Sequence, residues 1–148
     1  MKTLTNIIIV ILLTLIVINS FNYFQIQKKH QQAILFNNLI DNYFYKNPTI
    51  REISISIEGK HPLLKNNGGI YNEYDLDDYL GYFELLNTYV ESDVIQFNWI
   101  YNQFGYYIIN AYNNKEIKDY LKKLKLNNPT STYYSGFEKL AKQINQLE

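Results

Sequence analysis

LTNIIIVILLTLIVINSFNYF, residues 4–24, contains no charged side chain. From Ile7 to Ile18 the only polar residue is Thr14, and Asn19, Ser20 and Asn22 dilute the run before Phe21, Tyr23 and Phe24. No charge falls between Lys2 and Lys28. A helix needs about 20 largely apolar residues to cross the hydrocarbon core of a bilayer. The stretch therefore reads as a transmembrane helix over 4–24 behind a short tail, 1–3. Tyr23 and Phe24 then fall at headgroup depth, with Lys28 and Lys29 just beyond. Two rivals fit the same residues. One is a cleaved signal peptide, with Lys2 as the n-region, Ile7–Ile18 as the h-region and Ser20 before the cut. The weak n-region and the missing A-x-A-like site favour the permanent anchor. The other rival is a buried helix of a soluble protein. Lys28, Lys29, Lys46 and Arg51 outweigh Lys2 across the span, which puts the C-terminal domain in the cytoplasm.

Composition narrows the rest. The chain has 148 residues, enough for one modest domain beside the anchor. Fourteen Lys and Arg balance 14 Asp and Glu, so no net field draws it to nucleic acid. There is no cysteine. That removes disulfides, thiolate zinc sites, iron–sulfur clusters and cysteine nucleophiles.

Residues 25–46 read as a polar stalk and continuing helix. Ile34, Leu35, Leu39, Ile40, Tyr43 and Phe44 provide an apolar face. Asn47-Pro48 ends that helix and opens the next, since Asn caps well and Pro suits the first helical position. A small helical domain then fills 47–148. Ile53-Ser54-Ile55-Ser56-Ile57 alternates as a strand would, while Ile50, Ile53 and Ile57 also share a helix face. With no convincing partner strand, helix is the favoured reading. Pro62, Asn66-Asn67 and Gly68-Gly69 mark a loop at 59–72, expected to be the least ordered part of the domain. Asp75 is the expected cap of a helix whose stripe is Leu76, Tyr79, Leu80, Phe83, Leu86 and Val90. Ser92 or Asp93 is expected to cap the next, with Val94, Phe97, Tyr101, Phe104, Ile108 and Ala111 inward. The short link makes the pair an antiparallel hairpin. A basic helix follows over Lys115–Leu126, with Ile117, Leu121 and Leu124 inward. Ser135 to Glu138 matches a capping box ahead of Phe137, Leu140, Ala141 and Ile144. The fold class is all-α: a long N-terminal transmembrane helix continuing into a stalk, then a bundle of four or five helices with a central antiparallel hairpin.

No candidate chemistry outweighs its plainer explanation. Asp75, Asp77, Asp78 and Glu84 invite a metal, but Leu80 occupies the position where a calcium loop needs Gly. Acids at a helix start complement the dipole instead. His30 falls in the stalk and His61 before Pro62, neither on a rigid frame with a nucleophile. Phe97, Trp99, Tyr101, Phe104, Tyr106 and Tyr107 would suit base stacking, yet no Lys or Arg lies between Lys65 and Lys115 to meet phosphates. Core packing and helix contacts account for them better. Lys118, Lys122, Lys123 and Lys125 form a basic run that reads as a solvated face, or rests on anionic headgroups if the domain is tethered. Glu116 and Asp119 count against the second reading. Gly68-Gly69 lacks the strand, the Lys and the spacing of a phosphate loop.

The layout resembles an uncharacterised family of small bacterial single-pass membrane proteins. The resemblance rests on the anchor followed by Gln25-Ile26-Gln27-Lys28-Lys29, then Leu39-Ile40-Asp41-Asn42-Tyr43-Phe44 and Asn47-Pro48-Thr49-Ile50-Arg51-Glu52. It is completed by the pair of helices running from Tyr79-Leu80-Gly81-Tyr82-Phe83-Glu84 to Phe104-Gly105. It implies a cytoplasmic helical domain of unknown function and supplies no catalytic, metal or cofactor residues. The expectation is a non-enzymatic interaction or regulatory module, with no cofactor. Its partners would be the bilayer through 4–24 and a protein, or a second copy, through the aromatic helix faces. An enzyme of unrecognised type and a secreted helical domain released by cleavage are the alternatives.

Overall fold

A computed structural model describes residues 2–147 and is helical throughout, with no strand among them. The chain divides into two compact units, Met1–Asn37 and Asn38–Glu148. Met1, part of the expected tail 1–3, lies outside the described residues, and helix is already present at Lys2.

The first unit is a single helix. α1 spans Lys2–Asn38, 37 residues, or roughly 55 Å at the α-helical rise. Every side chain from Thr5 to Phe24 is exposed. Apolar residues occupy all sides of the helix, so it has no stripe to bury against a neighbour. Among the described residues this is the one helix long and apolar enough to cross a membrane, a test that a signal sequence near the N-terminus also passes.

The second unit opens with a π-helix, Leu39–Tyr45, closed by the Lys46 N–H donating to the Asp41 carbonyl at 3.1 Å. The wider turn brings residues five apart onto one side. Leu39 and Phe44 are accordingly both buried, while Tyr43, expected on that face, is exposed.

α2 covers Pro48–Glu58, which settles 50–58 as helix. Its cap is local, as expected: the Asn47 side chain accepts the Ile50 N–H, with Pro at the first helical position. Ile50, Ile53 and Ile57 face the core together with Ser54. The Ser54 hydroxyl lies 3.1 Å from the Ile50 carbonyl and 3.3 Å from the Tyr79 hydroxyl, so its burial leaves it bonded.

α3 (Glu73–Glu91), α4 (Phe97–Asn113), α5 (Lys115–Asn127) and α6 (Ser135–Asn145) complete the bundle. α6 packs against both α3 and α4 more extensively than those two pack against each other. Phe137, Leu140, Ala141 and Ile144 are all buried, as their spacing predicts. Phe44, Tyr82 and Phe104 form an aromatic triangle with centroid separations of 5.1 to 5.6 Å. Phe83 stacks on Phe137 at 5.8 Å. Each such pair contributes about 0.5–1.5 kcal/mol beyond the area it buries.

Several boundaries differ from expectation. α3 is capped by Asn72, not Asp75: Asn72 accepts the N–H groups of Tyr74 and Asp75, and Asp75 in return accepts the Asn72 N–H at 2.7 Å. Asp75 thus sits at the third helical position of a capping box. α4 starts at Phe97, because neither Ser92 nor Asp93 serves as its cap. Ser92 ends α3, Asp93 is left-handed (φ 53), and Ile95 in the link is itself buried. α6 follows a left-handed Tyr134 with no cap from its own side chains, so the expected Ser135–Glu138 box does not form. Val90 is half-buried, while Tyr82 and Asn87 on the same helix are buried.

The 59–72 segment is not the loose loop expected. Leu63 and Tyr71 are buried. A 3-10 turn at Lys65–Asn67 lets the Tyr71 N–H reach the Leu63 carbonyl at 2.9 Å and the Lys65 N–H reach the Tyr71 carbonyl at 2.8 Å. Gly69 permits this folding back, since a β-carbon there would stand 2.1 Å from the Leu63 carbonyl oxygen.

Candidate functional site

Three acids of the bundle, Asp77, Glu84 and Glu116, each tie together segments far apart in sequence. Asp77, on the first turns of α3, accepts two tyrosine hydroxyls on one oxygen: Tyr120 of α5 at 2.6 Å and Tyr134 at 2.5 Å. Tyr134 is left-handed (φ 57), a conformation costing an L residue about 1–2 kcal/mol, and the bond to Asp77 holds it there. Burial pushes both hydroxyls above their ordinary range, and the adjoining Asp77 carboxylate pushes them further. Both therefore stay protonated and donate to Asp77.

Glu84, two turns further along α3, supplies the cap that α6 lacks. Its carboxylate accepts the Gly136 N–H at 3.1 Å and the Phe137 N–H at 2.8 Å. An anion at a helix N-terminus meets free amides and the positive end of the dipole. Gly136 is needed for the approach: a β-carbon would come within 2.9 Å of the Asn87 and Glu84 side chains.

Glu116 of α5 does the same for the 59–72 segment. It accepts the Leu63 and Leu64 N–H groups, each at 2.9 Å, and the Asn67 side-chain amide at 2.8 Å. Burial works against its charge, but the three donors outweigh that effect and hold the carboxyl below its usual range.

The residues singled out from sequence are thus dispersed. Asp75 completes the Asn72 capping box, Asp77 braces, Glu84 caps another helix, and Asp78 is exposed. Among the described residues no group of three or more His, Asp or Glu is placed to hold a metal ion. His61 borders a polar cavity of about 390 Å³ with Lys60, Asn110, Asn113 and Glu116. The Glu116 carboxylate there is already taken by amides. His30 lies in α1, in the other unit. Of the aromatic series, Phe104 is buried, Phe97 stacks on Tyr101 at 6.5 Å, and Tyr106 is exposed. Sequence reasoning missed Tyr120 and Tyr134, and it gave Glu116 only a charge. Nothing local marks them, because their partners lie more than 40 residues away.

One cavity, of about 400 Å³, is lined by part of the basic run. Lys118, Lys122 and Lys125 rim it at helical spacing, over Leu121, Leu126 and Tyr112. The Lys118 ammonium stands 5.8 Å from the centre of the Tyr112 ring, and Lys125 pairs with Glu138 at 2.6 Å.

The architecture defines a small helical domain, braced by its own carboxylates, behind a long apolar helix. The chain belongs to the DUF4760 family, a domain of unknown function, whose model matches residues 4–144. No curated protein and no solved structure matches it.

Proposed function

We propose that this protein is a membrane-tethered, non-catalytic interaction module of a bacterial single-pass family, its bundle on the cytoplasmic side. The observation that carries the reading is α1: an apolar helix with no buried side chain across its most apolar stretch. Left in water, such a helix exposes a contiguous apolar surface; in lipid its backbone is internally satisfied and its side chains are matched. The bundle supports the non-catalytic part of the reading. Asp77, Glu84 and Glu116 are engaged in bracing the fold, accepting tyrosine hydroxyls and backbone amides. The partner would be a protein or a second copy, met through exposed aromatics such as Tyr74 and Tyr106. The cytoplasmic side rests on the Lys28, Lys29, Lys46 and Arg51 flank.

Capture of the full-length chain from native membranes tests this. A single stoichiometric protein partner, with intact mass at the N-terminus, is expected. A mature chain beginning near Phe21 would replace the tether by a cleaved signal, and substrate turnover by the purified chain would replace the module by an enzyme.

A further inference from the structure

We infer that the groove rimmed by Lys118, Lys122 and Lys125 binds the headgroup of an anionic phospholipid, a second contact between this protein and its bilayer. The inference rests on the tethered reading and adds to it the lipid class and the residues.

The acids around α5 leave two of its lysines unmatched. Glu116 turns away to the Leu63 and Leu64 amides. Asp119 pairs with Lys115 at 2.6 Å, and Glu73 with Lys123. Glu138 is the carboxylate lining the groove, and it is held by Lys125. Lys118 and Lys122 are exposed and form no ion pair with any described carboxylate; Lys118 has only Asn113 Oδ1 at 3.5 Å and the Tyr112 ring. Positions 118, 122 and 125 lie on one face of a helix. Between and beside them the cavity lining is apolar: Leu121, itself buried, half-buried Tyr112, and Leu126, which is 70% exposed.

Unpaired ammonium groups over an apolar floor match a phosphate with glycerol and acyl carbons attached. A free phosphate would leave the floor bare, and a neutral lipid would leave the ammonium groups unmet. An acidic protein is disfavoured because a cavity of about 400 Å³ is of headgroup size. Attachment to the same membrane also raises the local lipid concentration, so that a weak site is filled.

The test uses the full chain with Leu126→Cys, which is uniquely labelled because the sequence has no cysteine. An environment-sensitive fluorophore at that position is read in phosphatidylcholine vesicles with and without phosphatidylglycerol. A blue shift is expected only with phosphatidylglycerol, lost at high salt. Lys118→Gln with Lys122→Gln should raise the phosphatidylglycerol fraction needed for half the shift several-fold, with thermal unfolding unchanged. Equal emission in both vesicles, or a full shift in the double variant, overturns the inference. So does a shift produced by soluble polyglutamate but not by phosphatidylglycerol, which would make the occupant an acidic protein. Flotation of the same samples separates the two readings. A chain that floats with both vesicles but shows no lipid-dependent shift loses the groove and keeps the tether. One that floats only with phosphatidylglycerol keeps the groove and loses the tether, and one that floats with neither loses both.

Discussion

α1 and α4 are comparably apolar along their length, yet they dispose of their side chains in opposite ways. α4 confines Ile100, Phe104, Ile108 and Ala111 to one side, and all four are buried. α1 spreads Ile, Leu and Val around its whole circumference from Ile7 to Ile18, and all are exposed. Mean hydropathy does not separate a helix that buries a stripe from one that buries none; the angular distribution does.

Substitutions that strike one region and spare the other would break this comparison most visibly. Leu12→Arg with Ile16→Arg places two charges mid-span, each costing about 2.5–3.5 kcal/mol at a helix centre. The expected result is a chain released from membranes whose bundle unfolds at an unchanged temperature by circular dichroism. Phe104→Ala should do the reverse, losing about 3–5 kcal/mol of bundle stability with membrane retention intact. A single effect on both properties would mean the two regions are one folding unit.

Within the bundle the carboxylate braces come next. Glu84→Ala leaves two amides of α6 unpaired and should cost about 1–3 kcal/mol in denaturant unfolding. Glu84→Gln, which keeps one acceptor, should lose less. Gly136→Ala should also destabilise, by pushing Asn87 and Glu84 away.

These braces mark where the sequence stops being legible. The cap at Asn47-Pro48, contained within a few residues, could be read, although in the equally local Asn72–Asp75 box the cap is Asn72 and not the expected Asp75. The stripe of α6 and most of that of α3 could too, because they depend on local spacing; in α4 Phe104, Ile108 and Ala111 are buried as expected, but Val94 precedes the helix, Phe97 and Tyr101 are half-buried, and Ile100 is buried in their place. The Ser135–Glu138 box looked just as local and failed, since the Ser135 and Glu138 N–H groups go to the Thr132 and Tyr134 carbonyls and Lys125 takes the Glu138 carboxylate. Leu39 and Phe44 share an apolar face in the sequence, but the π-helical turn that buries both and leaves Tyr43 exposed matches no α-helical spacing. The ordered 59–72 segment escaped because its order comes from Glu116, about 50 residues downstream. Of the site, the lysine run was visible; the acids' engagements that leave Lys118 and Lys122 unpaired were not.

A smaller effect is expected in alkali. Tyr79, Tyr82, Tyr120 and Tyr134 all hold their protons above the ordinary value of 10.0, chiefly through burial. The unfolded chain releases those protons near that value, so above it the folded state binds more protons than the unfolded state. Stability should therefore be flat with respect to these groups below pH 10 and fall as pH rises beyond it. Tyr120→Phe with Tyr134→Phe should lessen the slope, read as the pH dependence of the unfolding temperature. Smallest of all, Asp119→Asn removes only an exposed pair with Lys115 and should leave stability unchanged.

The tether is tested most directly by washing membranes that contain the full-length chain with alkaline carbonate. Retention in the pellet is the predicted result. Release of the intact chain into the supernatant would contradict it.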